Sequence, residues 1–357
     1  MRHATLFEVH TNYIPQALEG FNKCIHDSHI RVKTRSWYLF HRFVKSLRQH
    51  MGEVAEAIMR AMGDLLVIRA ELPKDKDDAD EMSSESKQGE NTTFESQLYL
   101  FEAVGCMCSV PSLPVEKQAI LIKSVTTPLF SDIEQSLTAA ESGDARATLQ
   151  IHHDIMALGI LGKGFSDWVA GSHLDKACAS EVASEFGRVT EAILVALERL
   201  SRFSIVREAA RFSFVRIVGV LSSTILPSLP RWISGLMAKS STKEEISMFL
   251  KLLNQLIHSF KVHLRSPVPV FFFNIMADWR GKNVIYEMLN ELFTPLLQRV
   301  FVSLSEPVTG TDDHVQLTDL RREFLNFILI ILNNDLGQVL VSEGKKTALD
   351  LLLGVLR

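Results

Sequence analysis

Four cations recur on one helical stripe near the start of the chain: Arg31, Arg35, Arg42 and Lys45, with Tyr38 between them. Steps of three, four and seven residues bring side chains to the same face of a helix. No acidic residue occurs from Ile30 to Gly52, so nothing on this stretch neutralises that face. Guanidinium and ammonium groups around an aromatic ring suit phosphate contact combined with base or sugar stacking. Lys33 and Arg48 flank the row as further candidates for phosphate contact. On spacing alone a solvated basic face accounts for the same residues, and that alternative stays open.

Other chemistry-bearing clusters carry less. His152-His153-Asp154 would lie on a helix, where adjacent side chains point about 100° apart. The pair therefore does not suit a shared metal, which needs histidines four apart, and a structural role is expected. Cys106 and Cys108 stand two apart, with no second pair to complete a zinc site. Gly162-Lys163-Gly164 lacks the order of a phosphate loop and any strand before it, so it reads as a helix-ending loop. Asp312-Asp313 reads as the capping region of a helix. No nucleophile elbow, dinucleotide fingerprint or metal-spaced carboxylate set is present. Neither catalysis, nor a cofactor, nor a metal is expected.

The positioning elements are helices. With 357 residues, 46% of them hydrophobic, the chain has ample material for a core. Its net charge of −4 argues against a generally basic nucleic-acid binder. The acidity is local, with eight acids and three lysines between Glu71 and Glu90. Residues 71–93 have almost no large apolar side chain and read as an acidic disordered loop. Four cysteines give no disulfide framework. The N-terminus does not resemble a signal peptide, and no apolar run is expected to span a membrane. A soluble intracellular protein is predicted.

Helical periodicity runs through the rest, with strand alternation almost nowhere. Helices are predicted over Tyr13–Ile25, around Ile30–Leu47, Val54–Ile68, Ser96–Val110, Val115–Leu137, Ala145–Leu161, Ser180–Leu200, from Ser204, and over Lys243–Phe260, Leu317–Asn333 and Ala348–Leu356. The basic helix should bury Val32, Leu39, Phe40, Phe43 and Leu47. Pro295 should kink the helix over Ile285–Leu304 near Leu292. Adjacent helix pairs without strands describe an all-α fold, an α-solenoid of HEAT-like hairpins over residues 1–70 and 94–357. The end at Leu353-Gly354-Val355-Leu356-Arg357 has no polar capping helix, as expected of a piece of a longer chain.

Residues 262–282 break this pattern with two prolines and Phe271-Phe272-Phe273. They read as an aberrant insertion encoded by a retained intron. Valine codons begin GT, a lysine codon can end AG, and phenylalanine codons are pyrimidine-rich. Their removal joins Lys261 to Asn283 and leaves a helix pair of ordinary length.

Arg35-Ser36-Trp37-Tyr38-Leu39-Phe40-His41-Arg42-Phe43-Val44-Lys45 resembles the middle of the exportin-T family. These proteins are karyopherins of the importin-β superfamily that export transfer RNA. Collinear resemblances extend through Gln97–Ala103, Pro114–Gln118, Leu149–Gly159, Glu191–Glu198, Leu226–Ile233, Leu297–Phe301, Thr309–Asp313 and Leu332–Gly337. The resemblance implies a superhelical arch in which mature tRNA and Ran-GTP bind cooperatively. It also implies contact with nuclear pore proteins, shuttling between nucleus and cytoplasm, and cargo release on GTP hydrolysis. The family's main Ran-binding repeats lie at the extreme N-terminus, and nothing here matches them, so a central fragment is expected. Assigning Arg31, Lys33, Arg35, Arg42, Lys45 and Arg48 to RNA contact rests on charge geometry alone. The rival function is a HEAT-repeat scaffold or karyopherin for protein cargo.

Overall fold

The computed structural model describes residues 4–72, 84–167, 178–238, 241–260, 293–307 and 310–333, with 337 and 340. Among the described residues there is no strand, and the fold is the all-α solenoid expected. The chain divides into two units. Among the described residues, one runs to Leu221 apart from 201–204, and the other holds those four residues and the described residues from Ser222.

The first unit contains α1 (Ala4–Val9), α2 (Ile14–Ile25), α3 (Ile30–Ser46), α4 (Ala55–Ala61), α5 (Ser84–Cys108), α6 (Val115–Glu141), α7 (Ala145–Phe165), α8 (Ser180–Leu200) and α9 (Ser204–Leu221). Helix α6 packs on α8 in one layer, and α3, α5 and α7 pack in a second. Within the second layer α3 packs on α5 and α5 on α7, while α2–α3 and α6–α7 pack as hairpins. Ser213 Oγ of α9 donates to Ile155 O of α7 at 2.8 Å, extending that layer. Periodicity placed α2, α8 and the start of α6 closely, because each has one dominant apolar stripe.

Three local features set the spacing of this layer. Gly143, at φ +97°, closes α6: its N–H donates to Ala140 O and that of Asp144 to Ala139 O, both at 3.0 Å. This left-handed glycine motif satisfies the last carbonyls of a helix. Asp144 then caps α7 by accepting from Arg146 N and Ala147 N. Finally, α5 and α7 meet backbone to backbone at Gly105 and Gly164. A Cβ on Gly105 would lie 2.2 Å from Leu161 O, and one on Gly164 2.1 Å from Glu102 O.

Several expectations are corrected here. Gly162-Lys163-Gly164 lies inside the last turn of α7, its glycines serving close helix approach and not a loop. Val54–Ile68 forms only α4 and a 3-10 turn at Gly63–Leu66. The strap after it, Val67–Glu71, is held to α5 and α7: Gln97 Nε2 donates to Leu65 O and Val67 O, and Gln150 engages Ile68 O and Ala70 N. The backbone of α5 begins at Ser84, within the segment read as a disordered loop.

The second unit contains a 3-10 turn at Ser222–Ser228, α10 (Leu229–Leu236), α11 (Lys243–Phe260), helical residues 293–304 and α12 (Thr311–Asn333). Thr242 and Glu245 cap α11 reciprocally, Thr242 N to Glu245 Oε2 at 2.8 Å and Glu245 N to Thr242 Oγ1 at 3.2 Å. α11 packs on α12, with Phe249, Phe324 and Phe327 buried. The Leu292 kink, the insertion 262–282 and the helix at Ala348–Leu356 lie outside the described residues. Contrary to the sequence expectation, one helical run, Ser204–Leu236, reaches the length and mean hydropathy (1.6) of a membrane span. It contains the turn at Ser222–Ser228, and 56% of its apolar window is buried within the protein.

Candidate nucleic-acid interface

Helix α3 is fixed at its start by the chain before it. Asp27 Oδ1 accepts from His29 N at 2.7 Å, and Trp37 Nε1 donates to Ile25 O, the end of α2, at 3.0 Å. Its buried side is Trp37, Phe40, Phe43, Val44 and Leu47. Phe21 of α2 meets Phe40 and Phe43 at 5.8 and 5.1 Å between ring centroids. Val32 and Leu39 are exposed, not buried as the stripe suggested. Packing on both α2 and α5 turns the buried arc toward Trp37 and His41 instead.

On the opposite side Arg31, Arg35 and Arg42 are exposed. Tyr38 organises two of them: the Arg35 and Arg42 guanidiniums lie 5.1 and 5.8 Å from its ring centroid. Arg42 Nη1 also donates to Tyr38 Oη at 3.0 Å. Tyr38 meets Tyr99 of α5 edge-on at 5.2 Å, and Tyr99 stacks on His41 at 5.6 Å. The row is thereby tied to the neighbouring helix. A guanidinium held beside a ring has further N–H donors for an anion such as phosphate.

The six cations singled out by sequence do not form one set. Lys33 turns to the other side, 5.4 Å over the Trp37 ring. Arg48 is committed to α7: Nη1 bonds Asp167 Oδ2 at 2.7 Å, and Nη2 bonds Phe165 O at 3.1 Å and Ser109 Oγ. Lys45 sits at the end of the row and reaches Glu102 Oε1 at 3.4 Å. Three arginines and Lys45 therefore share the open face.

Glu102 was not foreseen. Buried on α5, it draws together Lys45, Lys163 of α7 (2.9 Å) and His41, whose Nε2 lies 3.3 Å away, off the line of a good hydrogen bond. Burial alone would raise its carboxyl, but the contacts with His41 and Lys163 outweigh that and hold it at about 2. Its only sequence signal is a lone acid in the apolar run Leu100–Cys108.

The other clusters behave as buried structure. Burial pushes the Cys106 thiol up to about 11 and Cys108 to about 12, away from reactive thiolate. His153 stacks on Phe94 at 3.6 Å, and burial, with His152 beside it, brings it down to about 4. The two Nδ1 atoms of His152 and His153 approach to 3.0 Å, closer than the helical angle suggested. Among the described residues, no group of three or more His, Cys, Asp or Glu could hold a metal ion.

A family model described as Exportin-T matches residues 1–276 and 271–357. An Exportin-T of Aspergillus oryzae is 50% identical over 352 residues, 98% of this chain and 32% of that protein. An Exportin-T of Botryotinia fuckeliana is 51% identical over 357 residues, covering 99% and 33%. The chain thus spans about a third of the length of the curated relatives it matches.

Proposed function

The chain belongs to the exportin-T family, and on that premise we propose that it is the part of a transfer RNA export receptor whose α3 face contacts the RNA backbone. The observation supporting this reading is the exposed Arg31–Arg35–Arg42 row around Tyr38, continued by Lys45 on a helix that carries no acid. Such a surface recognises A-form geometry through phosphates and 2′-hydroxyls, with little sequence readout. In the whole receptor the RNA binds together with Ran-GTP, passes the pore by contact with nuclear pore proteins, and is released in the cytoplasm. An open apolar groove of about 280 Å³ between α2 and α4, lined by Leu18, Ile25, Phe40 and Ile58, suits a protein partner of that kind.

The test is a salt titration of binding between the full chain and fluorescently labelled tRNA. Affinity should fall steeply with salt, and Arg35→Ala with Arg42→Ala should lower the slope of log K against log salt by about two. Salt-independent binding, or a slope that the double variant leaves intact, would remove the RNA reading in favour of a protein-binding scaffold.

A further inference from the structure

Glu102 places two ammonium groups on its two oxygens, one from α3 and one from α7. The carboxylate side chain is only 4% exposed, whereas Lys45 and Lys163 are 48% and 44% exposed. Each ammonium has three donors and uses one on Glu102, so both keep donors for solvent or a ligand. Arg216 of α9 adds a third cation. Its Cζ lies 3.3 Å over the Phe212 ring, Nη1 donates to Phe212 O at 2.6 Å, and its buried Nε has no partner. Its backbone lies against α7 beside Lys163, 3.7 Å from where a Cβ on Gly162 would stand, and Glu102 opposes the burial that brings its guanidinium down to about 10. Arg48 adds nothing to this excess, being paired with Asp167. One carboxylate against Lys45, Lys163 and Arg216 leaves a net positive point on three helices.

We propose that Lys163 and Arg216, with Lys45, form a second phosphate-binding point that receives a phosphodiester group of the same RNA strand. Lys45 belongs to the α3 stripe one turn beyond Arg42, so the point continues that row across α5 to α7 and α9. A continuous line of cations suits a polymer with a charge on every residue better than a single phosphorylated side chain. The proposal rests on the RNA reading of the α3 face.

The experiment titrates the full chain with labelled tRNA and, separately, a phosphoserine peptide. Lys163→Ala should weaken RNA binding several-fold and lower the salt slope by about one, and Lys163→Arg should restore both. Arg216→Ala should act likewise, provided that its circular dichroism matches the parent. If the parent binds RNA with a steep slope and Lys163→Ala changes neither affinity nor slope, this point is overturned while the α3 reading stands. If the parent shows no salt-dependent RNA binding, both fall. Peptide binding lost in Lys163→Ala, with RNA binding unchanged, would assign the point to a phosphoprotein and overturn the proposal.

Discussion

Asp154 accepts a 3.1 Å hydrogen bond from Gln150 Nε2 on one carboxylate oxygen, and its other oxygen is buried without a partner. Burial, reinforced by the charge of Asp132 on α6 and only partly opposed by Gln150, raises its carboxyl to about 8. The native chain therefore keeps a proton that the unfolded chain releases near the ordinary value of 3.8. The stability this proton supports is complete below that value and is lost as pH rises through about 8. Asp154→Asn should escape the loss. Its stability relative to the parent, measured by urea unfolding, should climb with pH by up to about 1.4 kcal/mol per unit between those limits. A difference that stays flat with pH would show that Asp154 is ionised in the fold.

Glu102 has the opposite sign. Held at about 2 against an ordinary 4.5, it contributes stability that is present above 4.5 and lost as pH falls through about 2. Glu102→Gln should cost roughly 1–3 kcal/mol at pH 7, below the cost of breaking a fully buried pair because both lysines are half in solvent. The cost should shrink as the pH is lowered below 4.5. Chemical unfolding at pH 7 and pH 3 reads both, and a larger cost at pH 3 would contradict the assignment.

The α5–α7 crossing predicts an asymmetry among glycines. Gly164→Ala must push a Cβ into Glu102 O and should destabilise by about 1–3 kcal/mol. Gly187, exposed in α8 with nothing within 4 Å of an added Cβ, should gain roughly 0.5–1 kcal/mol on substitution by alanine. Thermal melts of the two variants should move in opposite directions. Equal shifts would mean that the crossing tolerates a methyl group.

Reading Val262–Lys282 as a retained intron, which we propose from the sequence, makes a prediction about the message. Sequencing mature transcripts should recover a form in which the codons for Lys261 and Asn283 are joined. Transcripts that all retain the intervening codons would end the intron reading.

Helix positions were legible where one apolar stripe dominates, as in α2 and α8, since one buried face imprints one helical period on the sequence. The site was legible only in part. Arg31, Arg35 and Arg42 answer to local spacing, but the fate of Arg48 depends on Asp167, 119 residues away. Nor does local spacing record that Lys33 leans on Trp37, or that Val32 and Leu39 stay exposed while Trp37 and His41 turn inward. Glu102 was hidden for a related reason. One acid in an apolar helix looks like an interruption until helices from either side supply its cations. Gly162 and Gly164 misled because glycine near a helix end signals termination and close approach alike.

Where Gly105 and Gly164 face each other, main-chain atoms alone determine the gap between two helices. Larger or smaller residues can adjust every neighbouring contact, but the gap itself has no side chain to trade. Lys163 on α7 is therefore carried at a separation from Glu102 on α5 that substitutions elsewhere in the core leave untouched.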